Sequence, residues 1–119
     1  MGAVDSKREN RRERGEYGEN YAVSYLQAKG FRIVERNFYA GKLGEIDIIA
    51  EKGGVLHFVE VKSSRGSFDP VYNITPAKVR RVVNSAHYYL KKKRLNVAFC
   101  IDALIIRGGE IELLENITL

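Results

Sequence analysis

Cysteine is nearly missing from this 119-residue chain: Cys100 is the only one, so no internal disulfide can form. Long hydrophobic runs are missing too. The longest apolar stretches, such as Ala103-Leu104-Ile105-Ile106, fall far short of the ~20 residues a membrane helix requires. The N-terminus is hydrophilic where a secretory leader needs an apolar stretch, and the absences together point to a cytoplasmic protein without a membrane partner. Neither an internal repeat nor a low-complexity tract occurs. Acidic residues are scarce in one region: Lys62 to Arg107 holds ten basic residues against only Asp69 and Asp102. The excess of eight positive charges in that stretch is larger than the whole chain's net +5 and suggests a polyanionic partner, usually nucleic acid.

What is present is the mix of a globular domain, 45% hydrophobic and 29% charged. Residues 1–15 are so polar that they read as a flexible lead-in, leaving 16–119 as a single domain. Ala22, Val23 and Leu26 recur at helical spacing, predicting a helix from Glu16 to Lys29 that Gly30 stops. Strands follow over Phe31–Tyr39, Leu43–Glu51 and Val55–Lys62, the last two joined through Gly53-Gly54, a hairpin signal. A polar loop leads to Thr75-Pro76, the N-cap and first residue of a second helix. Val79, Val82, Val83, Ala86 and Leu90 form that helix's apolar stripe. Two final strands, Asn96–Ile106 and Glu110–Leu114, flank Gly108-Gly109. The order α-β-β-β-α-β-β predicts an α/β fold: a mixed central sheet of about five strands flanked by helices.

Chemistry gathers on the hairpin. With Gly53 and Gly54 as the turn, Asp47 falls opposite Glu60 and Glu45 opposite Lys62, all on one sheet face. Facing carboxylates about 5 Å apart repel. In a largely apolar hairpin, such a pair is most readily explained by a bound hard cation, Mg²⁺ or Mn²⁺. Glu19 shares the inward stripe of the first helix, a position unusual for an unpartnered acid. Glu19, Asp47 and Glu60 as metal ligands, with Lys62 beside them as a point cation, suit metal-assisted phosphodiester hydrolysis. Glu45 fits a metal role or a salt bridge to Lys62 equally well. Lys78, Arg80 and Arg81 at the start of the second helix, with Arg65 and Tyr72 in the preceding loop, are the candidate nucleic-acid contacts. His57 falls on the opposite hairpin face from Glu60, and His87 lacks a ligand-spaced partner. Neither supports a zinc site, and Cys100 reads as core.

The runs Gly44-Glu45-Ile46-Asp47 and Phe58-Val59-Glu60-Val61-Lys62 resemble the active-site hairpin of the PD-(D/E)XK nuclease superfamily, with Ile46 where the superfamily name has proline. More closely, the chain resembles the YraN-like family of small bacterial proteins, which are similar to archaeal Holliday-junction resolvases. Gly15 to Leu26, Gly30-Phe31, Asn37 and Lys78 through Leu90 carry the likeness beyond the hairpin. The resemblance implies a restriction-endonuclease-like core and a DNA endonuclease using Mg²⁺ or Mn²⁺. It also implies branched DNA as substrate and a homodimer to match a two-fold junction. The alternative is a nucleic-acid-binding module of the same fold that cuts weakly or not at all.

Overall fold

The computed structural model describes residues 18–64 and 69–118. The polar lead-in and Arg65 lie outside these, as do the first two residues of the expected first helix. The described part of that helix, α1, covers 18–28. It ends at Gly30, whose φ of +91° lets the Phe31 N–H reach back to the Leu26 carbonyl at 3.0 Å. Five strands and a second helix follow: β1 (Arg32–Tyr39), β2 (Glu45–Lys52), β3 (Val55–Ser64), α2 (Pro76–Lys92), β4 (Phe99–Arg107) and β5 (Glu110–Leu114).

The strands form one mixed sheet in the spatial order β1-β2-β3-β4-β5. All neighbours are antiparallel except β3 and β4, which run parallel because α2 carries the chain back between them. Gly53 and Gly54 both take positive φ, the geometry that matches a two-residue turn to the twist of β2 and β3. Thr75 caps α2 by accepting the Lys78 N–H, and Pro76 opens the helix.

Each sheet face carries its own core. On one, α2 lays Val82, Ala86, Tyr89 and Leu90 against Phe38, Ile49, Phe58 and Ile101. On the other, α1 lays Ala22 and Leu26 against Ile48, Ala50, Val59, Leu104 and Ile106. The central strands are therefore apolar on both faces, which is why β4 reads as an almost continuous hydrophobic run.

Three strand boundaries differ by two residues or more from the sequence reading. Residues 41–43 form a 3₁₀ turn, so β2 begins at Glu45; β3 extends to Ser64, and β4 starts only at Phe99. The stretch 96–98, though apolar in part, is exposed, so burial does not support a strand there.

Candidate functional site

The hairpin register is as expected from Lys52↔Val55 up to Ile48↔Val59, and there the ladder stops. Asp47 and Glu60 are not ladder partners, nor are Glu45 and Lys62. β2 goes on pairing with β1, through Phe38↔Ile46 and Tyr39↔Glu45, while β3 goes on pairing with β4 through Lys62↔Ile105. The two strands part at Asp47. The Val61 N–H, left without a strand partner on that side, donates to Asp47 Oδ2 at 2.8 Å. Opposite the opening, Asn37 in β1 takes a φ of +52°, a conformation that asparagine tolerates better than most side chains.

This opening assembles the acids. Glu60 and Lys62 alternate with Phe58 on the face that α2 covers, whereas Glu19 comes from α1 on the other. Asp47, in the gap, lies within electrostatic reach of both acids. Burial and the charge of Glu60 push its carboxyl up to about 7; the Val61 N–H opposes this, Glu19 adds to it, and Lys62 opposes it weakly. Lys62 Nζ is 3.2 Å from Glu60 Oε1, so its salt-bridge partner is Glu60 rather than Glu45. Arg36 Nη2 stands 3.9 Å from Glu19 Oε1, a neighbour that the sequence reading had not singled out. The structure thus brings Glu19, Asp47, Glu60 and Lys62 together by a splayed hairpin, not by facing ladder pairs.

Glu60 and Lys62 open onto a cleft of about 220 Å³, lined also by Gly44, Glu45, Lys78, Arg81 and Val82, whereas Asp47 and Glu19 are not among its lining residues. Gly44 is required there. Its φ of +130° is accessible almost only to glycine, and a Cβ would stand 3.6 Å from Ser85 Oγ and 3.8 Å from the Arg81 guanidinium. Glu45 is exposed at the cleft rim. Lys78 and Arg81, one turn apart on α2, make the opposite wall basic. Arg80 is exposed but does not line the cleft. Tyr72, on the 3₁₀ turn Pro70–Asn73, presents a ring that is 73% exposed.

A sequence profile described as "Uncharacterised protein family UPF0102" matches residues 18–106, which hold this entire constellation. The chain belongs to UPF0102. It is 59% identical to a UPF0102 protein of a Sulfurovum species over 88% of this chain and 93% of that one. The UPF0102 protein of Wolinella succinogenes is 58% identical over 91% of this chain and 98% of its own. That of Helicobacter hepaticus is 51% identical, again over 98% of its length.

A second polar cluster in this UPF0102 chain escaped the sequence reading. Asp102, fully buried in β4, accepts from His57 Nδ1 at 2.6 Å and from the Asn116 N–H at 2.9 Å. Cys100 Sγ lies 3.1 Å from His57 Nδ1 and 3.4 Å from Asp102 Oδ1. Burial above all, then the charge of Asp102, pushes the Cys100 thiol up to about 12, so it is no nucleophile at neutral pH. Cys100 belongs to a polar network, not simply to the core. One signal was available: an acid inside the run Phe99-Cys100-Ile101-Asp102-Ala103-Leu104 demands a buried partner. The partner's identity depends on the parallel pairing of β3 with β4, which no turn between them specifies.

Proposed function

We propose that this protein is a metal-dependent endonuclease of PD-(D/E)XK type that hydrolyses phosphodiester bonds in DNA. The observation that carries the reading is the grouping around Asp47: a half-buried carboxyl that burial, then the charges of Glu60 and Glu19, push up to about 7, beside Lys62, with Glu60 and Lys62 lining a basic cleft. Hard oxygen donors that repel one another suit Mg²⁺ or Mn²⁺, and a divalent ion would relieve the repulsion that raises Asp47. Asp47, Glu60 and Glu19 are the residues that would hold it. Such an ion supplies an activated water and charge neutralisation at the scissile phosphate.

The chain's own residues do the rest. Lys62, held by Glu60, places an ammonium where negative charge develops on the phosphoryl oxygens. Lys78 and Arg81 on the facing wall anchor an adjacent phosphate, and Arg80 and Tyr72 extend the contact along the strand. Two-fold-symmetric branched DNA, with a homodimer presenting two clefts, is the substrate that the resolvase likeness favours.

The test is cleavage of linear, single-stranded, flap and four-way-junction DNA with Mg²⁺ or Mn²⁺, with Glu60→Ala run alongside. Cutting that needs the ion and falls at least ~10²-fold in Glu60→Ala is the expected result. Salt-sensitive binding without cutting, unchanged in Glu60→Ala, would replace the enzyme by a binding module. Binding itself should weaken steeply with salt. Lys78→Ala and Arg81→Ala should each lower the slope of log K against log[salt] by about 1. An unaltered slope in both variants would move the DNA off this wall.

A further inference from the structure

We infer that His57, Cys100 and Asp102 form a metal site for a borderline divalent ion of the Zn²⁺ or Co²⁺ class, apart from the carboxylate cluster. It does not rest on the nuclease reading, because it uses none of the same residues.

The cluster is built by strand pairing. His57 and Cys100 are direct partners across the parallel β3–β4 ladder, and Asp102 follows two residues later on the same face. One donor atom from each lies within 4.8 Å of the others. The face is the one that α1 covers, with the Phe31 ring edge-on to His57 at 4.8 Å. Glu60 and Lys62 project from the opposite face, further along β3 toward its C-terminal end.

The donors converge instead of forming a line. In a Cys-His-Asp relay, sulfur and carboxylate use different ring nitrogens. Here both crowd Nδ1, at 3.1 and 2.6 Å, and a single N–H can serve only one of them. Three donors around one point, each within reach of the other two, is the arrangement of ligands around a shared ion. Metal–ligand bonds of about 2.0–2.3 Å in tetrahedral geometry place donors ~3.3–3.7 Å apart, so the His57–Asp102 and His57–Cys100 pairs, at 2.6 and 3.1 Å, need spread by less than about 1 Å.

Charge and outer-sphere geometry agree with this. Thiolate, carboxylate and neutral imidazole sum to −2, so a divalent ion leaves the buried site neutral, and the thiol proton departs on binding. The Asn116 N–H donates to Asp102 Oδ1 and fixes the carboxylate while Oδ2 faces His57, as the outer partner of a ligating carboxylate does. Sulfur and imidazole select Zn²⁺ or Co²⁺ over Mg²⁺, the reverse of the preference of Glu19, Asp47 and Glu60. His57 keeps 12% of its side chain exposed, so the cluster is not sealed from solvent.

Co²⁺ titration of the reduced full-length protein tests the site. A thiolate-to-cobalt charge-transfer band is expected to saturate at one equivalent, to vanish on adding Zn²⁺ and to survive a large excess of Mg²⁺. Because Cys100 is the only thiol, the band identifies its ligand in the wild-type protein, whether or not a cysteine variant folds. The band should persist in Glu60→Gln, and His57→Gln should bind at least about tenfold more weakly. A titration without a thiolate band, or a band lost in Glu60→Gln and kept in His57→Gln, would overturn the assignment.

Discussion

Asp47→Asn is expected to melt at a higher temperature than the wild-type protein at pH 8 without metal, and, on the nuclease reading proposed above, to lack metal-dependent cleavage. Both effects follow from the Asp47 charge. The folded-state carboxyl titrates near 7 while the unfolded chain's titrates at the ordinary 3.8, so folding favours the protonated form. The stability associated with that proton is complete below about pH 4 and is lost as pH climbs through 7. By pH 8 the ionised Asp47 costs the metal-free protein on the order of 4 kcal/mol. Asparagine keeps an oxygen for the Val61 N–H and removes the charge that Glu60 and Glu19 oppose. A gain on the order of 10 °C in Tm at pH 8 should shrink toward zero by pH 4. Mg²⁺ should raise the wild-type Tm at pH 8 and leave Asp47→Asn nearly unmoved. Thermal melts from pH 4 to 8, with and without Mg²⁺, decide this: a variant less stable than wild type at every pH would show that the Asp47 charge is already compensated.

Asp102→Ala should have the opposite effect, a loss of about 3 kcal/mol at neutral pH without metal. The fully buried carboxylate accepts from His57, Cys100 and the Asn116 N–H, and alanine leaves those donors without their acceptor and opens a cavity. The damage should extend to the C-terminus. The Asn116 contact, with the Ile117 N–H bonded to the Ile101 carbonyl at 2.8 Å, holds the segment after β5 against β4. Denaturant unfolding measures the loss, and amide exchange at Asn116 and Ile117 should speed up before the core opens. A change under about 1 kcal/mol would mean that water replaces the carboxylate as acceptor.

Much of the local structure was legible because local chemistry dictates it. Gly30 and Thr75-Pro76 bound the helices through backbone rules that operate within a few residues, and Gly53-Gly54 sets a turn that in turn sets the register of Ile48 and Val59. The apolar stripe of α2 was legible for the same reason, although Ser85 and Tyr89 join it in the structure: one is small and donates to the Arg81 carbonyl, the other packs its ring against Phe38 and Phe58. The membership of Glu19, Asp47, Glu60 and Lys62 in one constellation followed from spacing and resemblance. The means of bringing them together did not. Turn geometry extends a ladder indefinitely on paper, and it cannot register that Asp47 takes the Val61 N–H for its own carboxylate and parts the strands.

By itself, then, the sequence determined the two helices, the hairpin turn, the apolar central strands and the acids and lysine of the candidate site, since each depends on residue type and short-range spacing. Only the tertiary structure decided what depends on contacts between distant segments. The parallel pairing of β3 with β4, made through the α2 crossover, joins His57 to Cys100 and Asp102 across more than forty residues. The splay at Asp47 lets acids from opposite faces of the sheet act on one carboxyl, and the seating of Gly44 against α2 sets Arg81 beside the cleft. A parallel register has no turn to specify it, and a carboxyl's charge state depends on neighbours that folding alone supplies.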